Sequence, residues 1–459
     1  MINRYTASYD NTITNAFDSS LYRRGTSANM GASDSLEIFY IANQAYLSSS
    51  EKCRTLIKFE TDKIVYDRST GYLPSSGSVN FYMKLFDIEH HSTLPKDCIL
   101  SILPVSKDWD EGGGLDMEEY QDYYTSNWLS ASADEPWTTE GGDFLESPVY
   151  ATNLFDGNED VSVDITDLVE YWVDGTIPNY GVCVKLSGNF ETGSTSYYTK
   201  KFSARGTEYF YNRPVLEARW NSASLDDRNN FYVSSSLVPS SDNFNNIYFT
   251  NRVRGNLRNV PAFEPPASIT VGIYDSLTGS NLLGTFSANK LSTGIYSSSV
   301  YIYTTASNLY DRWMVGIDCY YTGTINVRHE KDINGYVVSI ENLRSKYSIN
   351  ERANLRVFTR AKNWHQTIYT KATTDVEPDI IKNLHYCIIR PADNLKVVDY
   401  DTVNNSTKLS YNVSGSYFTL NTELLEEDYQ YEIRFKTIYD DWSEELPDKF
   451  RFRVYKDSE

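Results

Sequence analysis

Sulfur, positive charge and helical periodicity are all in short supply in this chain of 459 residues. Lysine and arginine number 42 against 62 aspartates and glutamates, for a formal net charge of -20. That surplus argues against a nucleic-acid backbone or an anionic lipid surface as the primary partner. Methionine is down to 5, and apolar residues at helical spacing are nearly absent, which excludes a helical bundle. No window approaches 18 apolar residues, so no helix is expected to span a membrane. The five cysteines, Cys53, Cys98, Cys183, Cys319 and Cys387, are scattered and never paired as C-x-x-C. They read as buried reduced thiols of a protein folded in a cytosol. The five histidines, His90, His91, His329, His365 and His385, never fall at H-x-H or H-E-x-x-H spacing, so no transition-metal site is expected. No G-x-S-x-G, phosphate loop or G-x-G-x-x-G stands at a strand-to-helix junction, which leaves nucleotide and serine-nucleophile chemistry without a foothold. Met1 to Tyr5 leads straight into Asn, Asp, Ser and Thr with no apolar core of an export signal.

Tyrosine is what the chain has in quantity: 38 of them, with 8 tryptophans. Aromatic residues with Ser, Thr and Asn suit β-sheets that face partners. Alternating or apolar runs at 36–45, 54–59, 79–86 and 98–105 read as strands separated by Gly71, Pro74, Gly77 and Pro95. Further strands are expected at 180–186, 196–202 and 214–220, then at 247–253, 268–273, 294–303, 313–321 and 336–340. One helix is expected, where Ile165, Leu168, Val169 and Trp172 sit at i, i+3, i+4 and i+7, ahead of Gly175 and Pro178. A second helix is expected near Met117 to Tyr120. The polar stretch from Asn221 to Asn230 reads as a linker. The expected architecture is all-β, with units at 1–220, 231–332 and 336–457, the first the largest and the others in the size range of immunoglobulin-like sandwiches.

Three groups of residues carry possible chemistry. Asp108, Asp110 and Glu111 flank Trp109 and precede three glycines, an arrangement that could supply acid and base to a glycosidic bond. Nothing sets a second carboxylate at a defined distance, so a surface loop anchored by Trp109 is preferred and no catalytic residue is assigned. Asp156, Asn158 and Asp160 place oxygens at positions 1, 3 and 5 of a calcium loop. Val161 stands where the EF-hand needs glycine and Asp167 where it needs glutamate, leaving a looser calcium site or a simple turn. Trp109, Trp128 and Trp137, with Tyr123 and Tyr124, crowd one segment and are candidates for stacking on a glycan or meeting a protein partner.

Taken in order, the first 220 residues resemble the DNRLRE-type β-sandwich domain. The resemblance rests on Arg54-Thr55-Leu56-Ile57-Lys58-Phe59, the strand at 79–86, Trp109-Asp110-Glu111, and Trp137 to Gly142. It continues in Val163-Asp164-Ile165-Thr166-Asp167-Leu168-Val169 with Trp172 and Gly175, in Tyr180-Gly181-Val182, and in Pro214 to Glu217. It implies structural rather than catalytic roles for these positions. From Tyr347 to Phe358 the chain is similar to the opening of an immunoglobulin-like domain, and Asn363-Trp364, Leu409 to Tyr411, Ser416 to Phe418 and Tyr431 to Phe435 resemble structural proteins of T4-like tailed phages of cyanobacteria. Together these imply a non-enzymatic virion protein, made in the host cytoplasm and assembled with other virion proteins in neck, tail or capsid. The alternative is a carbohydrate-binding module contacting host surface glycans.

Overall fold

The computed structural model describes residues 1–117, 121–328, 335–365, 378–439 and 441–456. Strands dominate it, at 44% against 8% helix, and the chain is all-β. It divides into two compact units, Met1–Asn221 and Ser222–Glu459.

In the first unit a four-stranded sheet runs in the order Ile2–Thr6, Val215–Arg219, Asn80–Leu85, Val161–Asp164. Facing it is a seven-stranded sheet. Its path is Tyr197–Ser203, Ser35–Ala42, Ser50–Lys58, Val182–Leu186, Cys98–Pro104, Tyr150–Leu154, with Tyr9–Thr14 also pairing to Ser50–Lys58. The main core lies between them: Ile57, Phe81, Met83, Leu100, Val182, Val184 and Leu216 are all buried there. The expected helix is present as Thr166–Asp174 (here α2; α1 is Asp62–Ser69). Leu168, Val169 and Trp172 turn into this core. The Asp164 carboxylate accepts the Thr166 amide at 2.9 Å at its start, and Gly175 ends it at φ 79°, a left-handed conformation that glycine takes at no steric cost. Helix α1 carries no apolar stripe: Ile64 is buried, while Val65 and Tyr66 are 46% and 66% exposed, so periodicity does not reveal it. The second expected helix falls on 118–120, which lie outside the described residues.

Adjacent residues of the central strands point into different cores. Ile57 belongs to the inter-sheet core, but its neighbour Leu56 joins Ile13, Val105, Trp109, Trp128, Ala131, Trp137 and Cys183 in a second cluster on the other face. A sheet covered on both faces reads as a near-continuous apolar run rather than an alternating one. The cover on this second face is the 107–146 segment.

In the second unit, six antiparallel strands run in the order Asn245–Thr250, Ile295–Val300, Leu282–Ser292, Ile269–Tyr274, Asn308–Val315, Asp318–Asn326. They enclose Phe231, Ile247, Phe263, Val271, Tyr296 and Trp313. The expected strand over 313–321 is the junction of two, because Gly316 at φ 61° turns the chain into a hairpin. Beyond lie a four-stranded sheet, Tyr336–Ile340, Arg352–Ala361, Gly415–Asn421, Ser410–Asn412, and a second sheet built around Gln430–Ile438 and Leu384–Arg390.

The 221–230 stretch is not a linker. Asp226, Asp227, Arg228 and Asn230 are all under 9% exposed. Arg228 binds Asp226 at 3.0 Å and Asp311 at 2.9 Å. Asp227 accepts the Asn246 amide and the Tyr411 hydroxyl, each at 2.8 Å. Its polarity is that of a satisfied buried network, not of a solvated connector.

Candidate functional site

The three tryptophans expected to meet a glycan or partner are instead the core of the 107–146 segment. Trp109, Trp128 and Trp137 are 6%, 3% and 5% exposed. Trp109 donates its indole N–H to the Tyr180 carbonyl at 2.8 Å and Trp137 to the Asn127 carbonyl at 2.9 Å. The Arg54 guanidinium lies 5.1 Å from the centre of the Trp128 ring. An amphipathic indole satisfies its single donor and then buries its face, so crowding of aromatics in sequence here marks a packed loop. Tyr123 and Tyr124 are exposed, at 59% and 78%, and remain available to a partner.

The acidic loop divides in the same way. Glu111 pairs with Arg205 at 2.7 Å and accepts the Asp10 amide at 2.9 Å. Asp108 pairs with Lys58 at 3.2 Å. Asp110 is exposed, but its backbone is held by the Ala131 carbonyl at 3.0 Å and the Ser126 amide at 3.0 Å. Glu111 therefore staples the loop to the sheet edge, and its carboxylate is committed.

The calcium-like loop is tied down by a cation of the chain itself. The Lys200 ammonium, 0% exposed, donates to the Gly157 carbonyl at 3.1 Å and the Glu159 carbonyl at 2.9 Å, and also to Asp87. Glu159 accepts the amides of Phe155, Asp156 and Gly157 at 2.7–2.8 Å. Asp156, Asn158 and Asp160 stay exposed around it, and Asp160 is taken up by the Asp87 amide. The buried ammonium is satisfied by two loop carbonyls and Asp87, and of the three candidate calcium oxygens Asp160 is already engaged by the Asp87 amide. No cluster of three His, Cys, Asp or Glu suited to a metal occurs among the described residues.

Several titratable groups are displaced by burial. The Asp10 carboxyl is pushed up to about 7 by burial, against the hydrogen bond from the Arg205 amide. His385 is pushed down to about 4, by burial first and then by Lys408. Glu217, ringed by Arg4, Lys84 and Arg219, is held well below the usual carboxylate range despite its burial. Asp10 and Glu217 belong to the first unit and His385 to the second.

Among the exposed large apolar side chains are four that the sequence reading did not single out. On the first unit, the turn at 18–23 and the turn at 43–49 come together through the Phe17–Tyr46 edge contact, 6.0 Å between ring centres. Their tips carry Tyr22 at 93%, Leu47 at 87%, Tyr46 at 59% and Leu21 at 37% exposure. The turns are tied down beneath: Asn43 exchanges hydrogen bonds with Ser48 and Ser49 at 2.8 and 2.7 Å, and the Arg24 guanidinium lies 4.1 Å from the Phe17 ring centre. The signal available in sequence was a Leu-Tyr and a Tyr-Leu pair inside Ser-rich turns, where nothing local demands an apolar residue.

No family profile and no curated protein matches this chain. Among solved structures it is similar to the fibronectin(III)-like modules of Clostridium thermocellum CbhA, at 13% identity over 51% of this chain and 90% of that one, with a TM-score of 0.16. It is also similar to the Escherichia coli adhesin FdeC, at 9% identity over 92% and 97%, with a TM-score of 0.17. The Yersinia pseudotuberculosis adhesin InvE matches at 12% identity over 49% of this chain and 56% of its own, with a TM-score of 0.16. At such scores these likenesses carry no argument about function.

Proposed function

We propose that the protein is a non-enzymatic structural subunit of a tailed-phage particle, acting by docking its β-sandwich faces against other virion proteins in neck, tail or capsid. The observation that carries this reading is the Leu21–Tyr22–Tyr46–Leu47 patch: large apolar side chains held out into solvent on hydrogen-bonded turns. Large exposed apolar groups on hydrogen-bonded turns are the composition of an interface centre. The ordered segment resemblance to the DNRLRE-type domain and to phage structural proteins supplies the context of a particle. The commitment of Glu111 to Arg205 and of the three indoles to a core supports a role other than sugar cleavage.

Mass spectrometry of purified particles is the test. The chain is expected among the stoichiometric virion proteins, and a Tyr22→Ser, Leu47→Ser variant is expected to be depleted from particles while keeping its unfolding midpoint. Absence from particles overturns the reading. So does release of reducing ends from bacterial or algal polysaccharides that disappears in Asp110→Asn or Glu111→Gln.

A further inference from the structure

The first unit contains an open cleft of about 640 Å³, within the range of roughly 300–1,000 Å³ usual for small-molecule sites. One wall is Arg54 and Lys185, from neighbouring strands of the seven-stranded sheet, with Lys107 just past the end of a third. The other wall is the turn that closes over the tryptophan core, bringing Thr138, Thr139 and Phe144 to the opening.

Each charge in this cleft already has an answer. Arg54 grips Glu191 through two bonds, at 3.1 and 2.7 Å, and Lys185 reaches the same carboxylate at 3.2 Å. Lys107 is bound by Glu135 at 2.9 Å and by the Pro136 carbonyl at 2.8 Å. Asp143 accepts the Thr138 and Thr139 amides, both at 2.9 Å. Arg54 and Lys185 share the one Glu191 carboxylate, so a phosphate or carboxylate would have to compete with a carboxylate already in place. Left over are three exposed hydroxyls, on Ser106, Thr138 and Thr139, with no protein partner found for them among the described residues. Beside them, with Gly142, is the half-buried Phe144 ring, which packs against the tryptophan cluster and has the Arg54 guanidinium 5.6 Å from its centre. Hydroxyls beside an aromatic wall suit a ligand that is uncharged, rich in hydroxyl groups and apolar on one side. A pyranose ring has that character.

The cleft is also held in shape before any ligand arrives. The Ser106 amide donates to the Asp143 carbonyl at 3.0 Å, the Leu145 amide to the Pro104 carbonyl at 2.9 Å, and Val105 bridges to Phe144. A preformed site loses little freedom on binding.

We infer that this cleft is a binding site for a neutral saccharide, with Thr138, Thr139 and Ser106 hydrogen-bonding sugar hydroxyls and Phe144 covering an apolar sugar face. The inference is independent of the assembly reading, since none of these residues belongs to the Tyr22–Leu47 patch. Isothermal titration of the full chain with cellohexaose, xylohexaose, mannohexaose and chitohexaose, and with hexagalacturonate as the anionic comparator, tests it. Saturable binding of at least one neutral hexasaccharide is expected. The Thr138→Val, Thr139→Val variant should weaken it by about tenfold or more, for lost hydrogen bonds to the sugar, with the unfolding midpoint unchanged. Phe144→Leu should weaken it as well, whereas Tyr124→Ala should leave it intact. The inference is overturned by no saturable binding of any neutral probe, by unchanged affinity in the threonine variant, or by tighter binding of hexagalacturonate. Incorporation into particles is read separately, so one proposal can fail while the other stands.

Discussion

Arg228 Nη2 lies 2.9 Å from Asp311 Oδ2, joining a short 3-10 turn to a strand 83 residues away, with both side chains buried. Asp311 also accepts the Trp313 indole N–H at 2.7 Å, and Arg228 holds Asp226. The guanidinium is thus a charge that the two buried carboxylates share.

Arg228→Met is therefore expected to cost about 3–5 kcal/mol, the usual penalty for stranding buried charge. The check is urea unfolding of the full chain followed by a probe in the second unit. Asp226, whose carboxyl burial already pushes up to about 6 even with Arg228 attached, should then titrate higher still by NMR. A variant as stable as wild type would show that the pair contributes nothing.

In the first unit, Trp172→Ala should cost about 3–5 kcal/mol through lost burial and the cavity left behind. The indole is 6% exposed and packs with Leu168 and Val169 in the inter-sheet core. An unchanged melting temperature would mean that α2 does not dock there in solution.

Gly181→Ala probes backbone packing. Gly181 adopts φ 79°, and a methyl group there would come within 2.2 Å of the Ile57 carbonyl oxygen. The strained conformation alone costs on the order of 1–3 kcal/mol, and a backbone neighbour cannot swing away, so severe destabilisation or insolubility is expected. Gly175→Ala, also at positive φ but with nothing within 4 Å, should lose only about 1 kcal/mol. Thermal melts of the two variants give the comparison.

Acid should weaken the contribution of His385. Its folded pKa is about 4, below the ordinary 6.5, because burial and Lys408 oppose the charged form. The unfolded chain takes up the proton first, so the stabilisation is complete above about 6.5 and is lost as pH falls towards 4. Asp226 has the opposite sign, since a raised carboxyl pKa favours the folded state as pH falls. The difference in urea midpoint between wild type and His385→Gln isolates the histidine. That difference should shift steadily against wild type between pH 6.5 and 4, and a constant difference would refute the assignment.

Local pattern alone was enough for the all-β class and for α2. Period-two alternation and a four-residue apolar stripe are written in neighbouring residues, and Gly175 closes the helix wherever it packs. Tertiary structure decided the rest, for a common physical reason: burial depends on what covers a residue. The strand Tyr9–Thr14 is polar, yet Asp10, Asn11, Thr12 and Thr14 are buried because partners such as Ser126 and Arg205, more than a hundred residues away, satisfy them. Trp109, Trp128 and Trp137 looked like a binding face until the sheet's second side proved to need a cover. The 221–230 segment carries linker composition but finds Asp311 and Tyr411 to pair its charges. The calcium-like loop is tied down by Lys200, forty residues downstream, whose ammonium takes the Gly157 and Glu159 carbonyls. Composition sets which groups must be satisfied; only the folded chain supplies the distant partner that satisfies them.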